Sequence, residues 1–93
     1  MPDISATPRP SPDVVHQELD GEVVVVHLGT NRVYALNETG ARLWAFLDAG
    51  YDRVRIHEQL AREFDVDPAE LEREVDAMLE SLADAGLVAY PGR

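Results

Sequence analysis

At 93 residues the chain has room for one domain with a single modest core. Its 18 acidic against 8 basic side chains leave a net charge of -10, which repels nucleic-acid phosphates and anionic lipid, so neither a nucleic-acid nor a membrane partner is expected. The absence of cysteine excludes a disulfide, a thiolate metal site and a thiol nucleophile.

The first residues, MPDISATPRPSPD, have neither the basic start nor the apolar run of a signal peptide, and no later apolar run is long enough to span a bilayer. The expected location is the cytoplasm. Residues 1–12 carry Pro2, Pro8, Pro10 and Pro12 among Ser, Thr and Asp, a composition with too little apolar surface to order itself, and they read as a flexible tail. From Asp13 the pattern changes. DVVHQEL and EVVVVHL are rich in β-branched residues, and Asp20-Gly21 between them is a two-residue hairpin signal, because glycine tolerates positive φ.

After Leu28 the residues Gly29, Thr30 and Asn31 accept turn geometry, and Arg32 to Leu36 reads as a short third strand. The second strand then lies in the middle of a meander, and its apolar run 23–26 predicts contact on both faces. The first and third strands are both edges. Two such edges also make self-association through a strand a natural expectation, so a homodimer is among the partners considered.

Asn37 is a good N-cap for a helix whose stripe is Ala41, Leu43, Trp44, Phe46 and Leu47, ended by Gly50. Asp52 caps a second helix in which Ile56, Leu60 and Phe64 fall four apart. Asp67-Pro68-Ala69-Glu70 then sets an N-cap, a proline at the first helical position and a carboxylate at the third. Leu71, Val75, Met78, Leu79 and Leu82 form the stripe of this third helix, and Gly86 ends it with Leu87 placed to fold back. The closing LVAY has length enough to dock on the domain. The expected fold class is α+β and winged-helix-like: a three-stranded antiparallel meander followed by three helices.

Chemistry is hard to find. His16, His27 and His57 fall on two strands and a helix without HxxxH or HExxH spacing, so no metal site is indicated. No serine stands in a GxSxG elbow, and neither phosphate-loop pattern is present, so no cofactor is expected. Asp65 with Asp67 and the acids of the third helix fall where caps and solvated faces belong. The chain reads as a non-enzyme. The third helix also fails as a DNA-reading helix, since it sets Glu70, Glu72, Glu74, Asp76, Glu80 and Asp84 against Arg73 alone.

The run VYALNETGARLWAFLDAG, then a helix of mixed charge, then VDPAELEREVDAMLESLADAGLV, resembles the PqqD-like family of recognition domains for ribosomally made, modified peptides. Its best marks are residues 36–41, Leu43-Trp44 and the closing residues 82–87, in that order and spacing, and it covers residues 13–88. Within the family the chain is most similar to the stand-alone recognition proteins of lasso-peptide pathways. The resemblance implies a leader-recognition domain over residues 13–90 that binds the leader region of a precursor peptide and presents it to a transglutaminase-like leader peptidase and a cyclase.

The family pattern further implies that the leader adds as an antiparallel strand to the third strand, in a groove between it and the third helix. Backbone groups of Arg32, Val33, Tyr34, Ala35 and Leu36 would then bind the peptide, with Leu71, Val75, Met78, Leu79 and Leu82 serving both core and groove. Glu74 and Asp76, flanking that stripe, would attract leader Lys or Arg. A period of two leaves open whether Val33 and Ala35 or Tyr34 and Leu36 face the groove. Two other readings stand beside this one: presentation of a precursor to a radical enzyme in pyrroloquinoline quinone biosynthesis, and a winged-helix module that meets a protein partner.

Overall fold

The structure, a computed structural model, describes residues 7–90. Its elements run β1 (Arg9–Pro10), β2 (Val14–Leu19), β3 (Glu22–His27), β4 (Arg32–Leu36), α1 (Glu38–Asp48), α2 (Arg53–Glu63), α3 (Pro68–Asp84) and β5 (Val88–Ala89). The expected meander is the sheet β2-β3-β4, antiparallel throughout, and it precedes three helices as the α+β reading requires. The predicted third strand is thus β4.

Local chemistry explains most boundaries. Asp20 at φ 53° and Gly21 at φ 83° both occupy the left-handed region, which matches the twist of the β2-β3 hairpin. Each helix begins at a side-chain cap. Asn37, Asp52 and Asp67 accept hydrogen bonds from the backbone N–H groups of Gly40, Arg55 and Glu70, satisfying donors that the first turn leaves without partners. At the end of α3 the chain turns at Gly86, φ 77°, and the Leu87 N–H returns to the Leu82 carbonyl at 2.9 Å, burying Leu87.

The core lies between one face of the sheet and the helices. Val23 and Val25 meet Leu43, Trp44, Leu47, Ile56, Leu60, Val75 and Leu79 there, all buried. In the register, Val25 sits opposite Tyr34 and Val23 opposite Leu36, which puts Tyr34 and Leu36 on the core side. Among the described residues no helix packs on the other side of the sheet. Val24 and Val26 are half-buried there, and Val15 and Val33, both opposite Val26, are 51% and 65% exposed. The valine run of the central strand is therefore packed by helices on one face only, contrary to the two-sided expectation.

Residues 7–12 also differ from the expected tail; residues 1–6 lie outside the described residues. Arg9–Pro10 pairs antiparallel with Val88–Ala89, Pro8 is fully buried, and the Ser11 N–H donates to the Leu87 carbonyl at 2.9 Å. The Arg9 guanidinium donates to the carbonyls of Gly50 and Tyr51. Proline-rich composition is a poor guide when the segment has a ready partner, because its backbone groups are satisfied by that partner and its fixed φ lowers the entropy lost on ordering.

Helices α1 and α2 are tied by Arg42 and Glu63, whose bidentate pair has both N–O distances at 2.7 Å. This hydrogen bonding holds the Glu63 carboxyl below the usual carboxylate range, against a smaller opposing effect of desolvation. A depressed folded-state pKa stabilises the fold above the unfolded carboxylate value, and that contribution disappears as pH falls through the folded-state value. Both side chains are well exposed, so the pair contributes under about 1 kcal/mol. Glu63→Gln is expected to lower thermal stability slightly at about pH 7 and to match the parent at about pH 2, as melting curves at the two pH values would show.

Candidate functional site: a groove between strand β4 and helix α3

One edge of the sheet borders a groove. Leu28 N–H donates to the Asp13 carbonyl at 2.8 Å, directly beyond the Val14–His27 pair, which fixes the phase of the ladder. In an antiparallel ladder hydrogen-bonded pairs alternate with unbonded ones, so β3 turns Val23, Val25 and His27 toward β4, where Leu36, Tyr34 and Arg32 are their partners. The backbone N–H and C=O groups of Val33 and Ala35 consequently point away from the sheet, and among the described residues no strand pairs with them.

Beside this edge is an open, mainly apolar groove of about 290 Å³ lined by Ala35, Leu36, Asn37 and Gly40 on one wall and Ala77, Met78, Ser81 and Leu82 on the other. The β4-α1 junction builds the first wall. Asn37 is held as N-cap by its 2.8 Å bond from Gly40 N–H, and Gly40 is buried with so little room that a Cβ would come 3.3 Å from Asn37 Oδ1 and 3.5 Å from Leu36 Cβ. A side chain at this position would crowd the floor of the groove.

The second wall is one stripe of α3. Leu71, Val75 and Leu79 are buried in the core and line no part of the groove; Leu82 is buried yet borders it, and Met78 is half-buried at its mouth. Glu74 is exposed one helical turn before Met78, on the same side. Asp76 faces α2 instead, where its carboxylate accepts from the Arg53 guanidinium at 2.9 Å, away from the groove lining. On β4, Leu36 and Ala35 line the groove, Tyr34 packs against the core, and Arg32 and Val33 are exposed. Asn37, Gly40, Ala77 and Ser81 were not among the residues expected from sequence. Ala77 and Ser81 are spaced i, i+4 beside Met78 and Leu82, a clue that an apolar-stripe reading discards because both are small.

His16 and His27 are separately engaged, and the buried Nε2 of His57, on α2, has no hydrogen-bond partner among the described residues. His27 Nδ1 accepts from the N–H groups of Gly29 and Thr30, and His16 meets the Trp44 ring edge-on at 5.9 Å. Among the described residues no three of His, Cys, Asp and Glu are gathered as a metal would need, and no helix is long and apolar enough to cross a membrane.

The same fold occurs in two solved structures that include a peptide. The structure of TbiB1 in complex with the TbiA(beta) leader peptide superposes with a TM-score of 0.86 at 30% identity, over 91% of this chain and 99% of that one. A lasso peptide synthetase B1 complexed with the leader peptide gives a TM-score of 0.82 at 23% identity, over 88% of this chain and 96% of that one. No curated protein matches the sequence. The family described as coenzyme PQQ synthesis protein D matches residues 22–88, which takes in the whole β3-β4 hairpin and all three helices, and the chain belongs to this PqqD family.

Proposed function

We propose that the chain is a recognition protein without catalytic activity of its own, which binds the leader segment of a ribosomally made precursor peptide by adding it as an antiparallel strand to β4. The observation that carries this reading is the coincidence of an unpaired strand edge with an apolar groove beside it. The peptide backbone would bond to Val33 and Ala35, and every second leader side chain, opposite Tyr34 and Leu36, would turn toward α3 and enter the groove by Met78 and Leu82. Strand pairing supplies affinity for any extended peptide; the groove selects among them. Glu74, at the end of the α3 wall, would favour a basic leader residue near that end, with a modest effect on affinity and a larger one on association rate.

The likeness to TbiB1, bound to a leader peptide, supports a leader as the ligand. The sequence resemblance to the stand-alone recognition proteins of lasso-peptide pathways favours a lasso-type precursor and, as onward partners, a transglutaminase-like leader peptidase and a cyclase. A second reading, presentation to a radical enzyme in pyrroloquinoline quinone biosynthesis, draws on the family match to residues 22–88. Titration of the protein with each kind of leader, followed by backbone amide NMR, separates them. Saturable shifts along β4 and on residues 77–82 with the lasso-type leader are the expected result, and shifts with neither leader would sink the recognition reading. Ser81 is exposed on the groove wall, so Ser81→Trp should fill the groove and weaken leader binding at least tenfold with unchanged melting temperature. Unaltered affinity in that variant would place the peptide elsewhere.

A further inference from the structure

The sheet has a second edge, β2, on the side away from β4. The alternation that frees Val33 and Ala35 on β4 turns the N–H and C=O groups of His16 and Glu18 outward on β2. Residues 15–19 are all exposed, with Val15 at 51% and Leu19 at 50%. Strand edges are ordinarily guarded by a proline, a lysine, a bulge or a covering element. β2 has no proline, lysine or bulge, and its one charged side chain is Glu18, on the core face opposite Val23; its register with β3 is unbroken from Val14 to Leu19, and among the described residues no strand pairs with its outer edge.

We propose that β2 pairs antiparallel with β2 of a second copy of this chain, about a two-fold axis at Gln17, so that two meanders join into one six-stranded sheet. A two-fold axis normal to the sheet keeps both core faces on the same side, so residues of like parity must meet. Centring on Gln17 sets His16 opposite Glu18 of the second copy and Val15 opposite Leu19 of the second copy, each twice by symmetry. The first pair sets an imidazole, able to donate a hydrogen bond, opposite a carboxylate and contributes the outward backbone groups; the second joins the two exposed apolar side chains of the outer face. Centring on His16 would instead oppose the histidine to itself and Val14 to Glu18.

A separate feature lies on the core side of this edge. A hollow of about 380 Å³ opens between β2 and α1, bordered by His16, Glu18, Glu38, Trp44 and Asp48 among others. Trp44 is 1% exposed, yet its indole N–H has no acceptor. Buried indole N–H groups ordinarily find one. Glu18, Glu38 and Asp48 already stand at its rim without bonding to the buried indole, so the hollow is a feature apart from the strand pairing. The paired edge is opposite β4, so leader binding and pairing of copies are independent.

Sedimentation equilibrium on the full chain, from micromolar to millimolar concentration, tests the proposal. A monomer–dimer equilibrium is expected, with exchange protection of the His16 and Glu18 amides rising with concentration. Glu18→Lys and His16→Glu should each weaken the dimer about tenfold, the first by removing the carboxylate acceptor and the second by opposing two carboxylates, and the double variant, which sets a cation opposite an anion, should recover most of it. Glu18 is exposed, so Glu18→Lys leaves the fold intact, and a melting curve verifies this. A chain that stays monomeric throughout overturns the proposal. So does a dimer indifferent to these charges, or protection of the β2 amides that appears only when a leader peptide is added.

Discussion

Ala35→Pro should weaken leader binding about a hundredfold while the domain remains folded. The outward N–H of Ala35 is one of the few groups that the proposed strand addition needs, and proline removes it. Loss of the bond itself costs about 1 kcal/mol, and a peptide carbonyl that the bound strand buries without a donor costs roughly 1–3 kcal/mol more. The fold tolerates the change because proline is accepted where a strand's N–H faces away from the sheet, and Tyr34 before it is already extended. A paired measurement of leader affinity by calorimetry and of melting temperature by circular dichroism decides the matter. If affinity survives, the peptide does not pair with β4 at this position.

Leu79→Ala is expected to do the reverse. Leu79 is 0% exposed in the centre of α3, packed in the cluster with Val25, Trp44, Leu60 and Val75, and it lines no part of the groove. Truncating a buried leucine removes transfer free energy and leaves a cavity, a loss of about 3 kcal/mol. For a domain of this size that corresponds to a fall in melting temperature of roughly 12–24 °C. Chemical denaturation should give the same difference, and below the lowered transition the leader affinity should be close to that of the parent. A variant of parental stability that binds poorly would move Leu79 from the core to the peptide site.

These two positions also show how far the sequence could be read. Helix starts were legible because Asn37, Asp52 and Asp67 act locally, each on a donor three residues ahead, and the Asp20-Gly21 turn was legible for the same reason. Strand β1 was not. Its pairing partner lies at the other end of the described chain, and nothing in RPSP itself discloses that Val88–Ala89 will be beside it. The face of β4 stayed ambiguous because alternation has a period but no phase; the phase comes from Val25 opposite Tyr34 and Val23 opposite Leu36. On α3 the apolar stripe marked where the core is, while the groove wall follows the margin of that stripe. Ala77 and Ser81 carry no hydrophobic signal, and Asp76 belongs with Arg53 for a reason that only the packing of α2 on α3 supplies.

The clasp of β1 on β5 has a consequence for how such a domain is carried. Arg9–Pro10 and Val88–Ala89 lie side by side, so the chain enters and leaves the folded unit at one point. A body with a single point of entry can be spliced into a surface loop of a larger protein without stretching either junction. It then hangs as a pendant, free to swivel about that point while its peptide groove keeps its shape. The same clasp makes a permuted chain practical, with the old ends joined by a short linker and new ones opened in the Gly29-Thr30-Asn31 turn, provided that the turn's return of β3 to β4 can be left to sheet pairing alone.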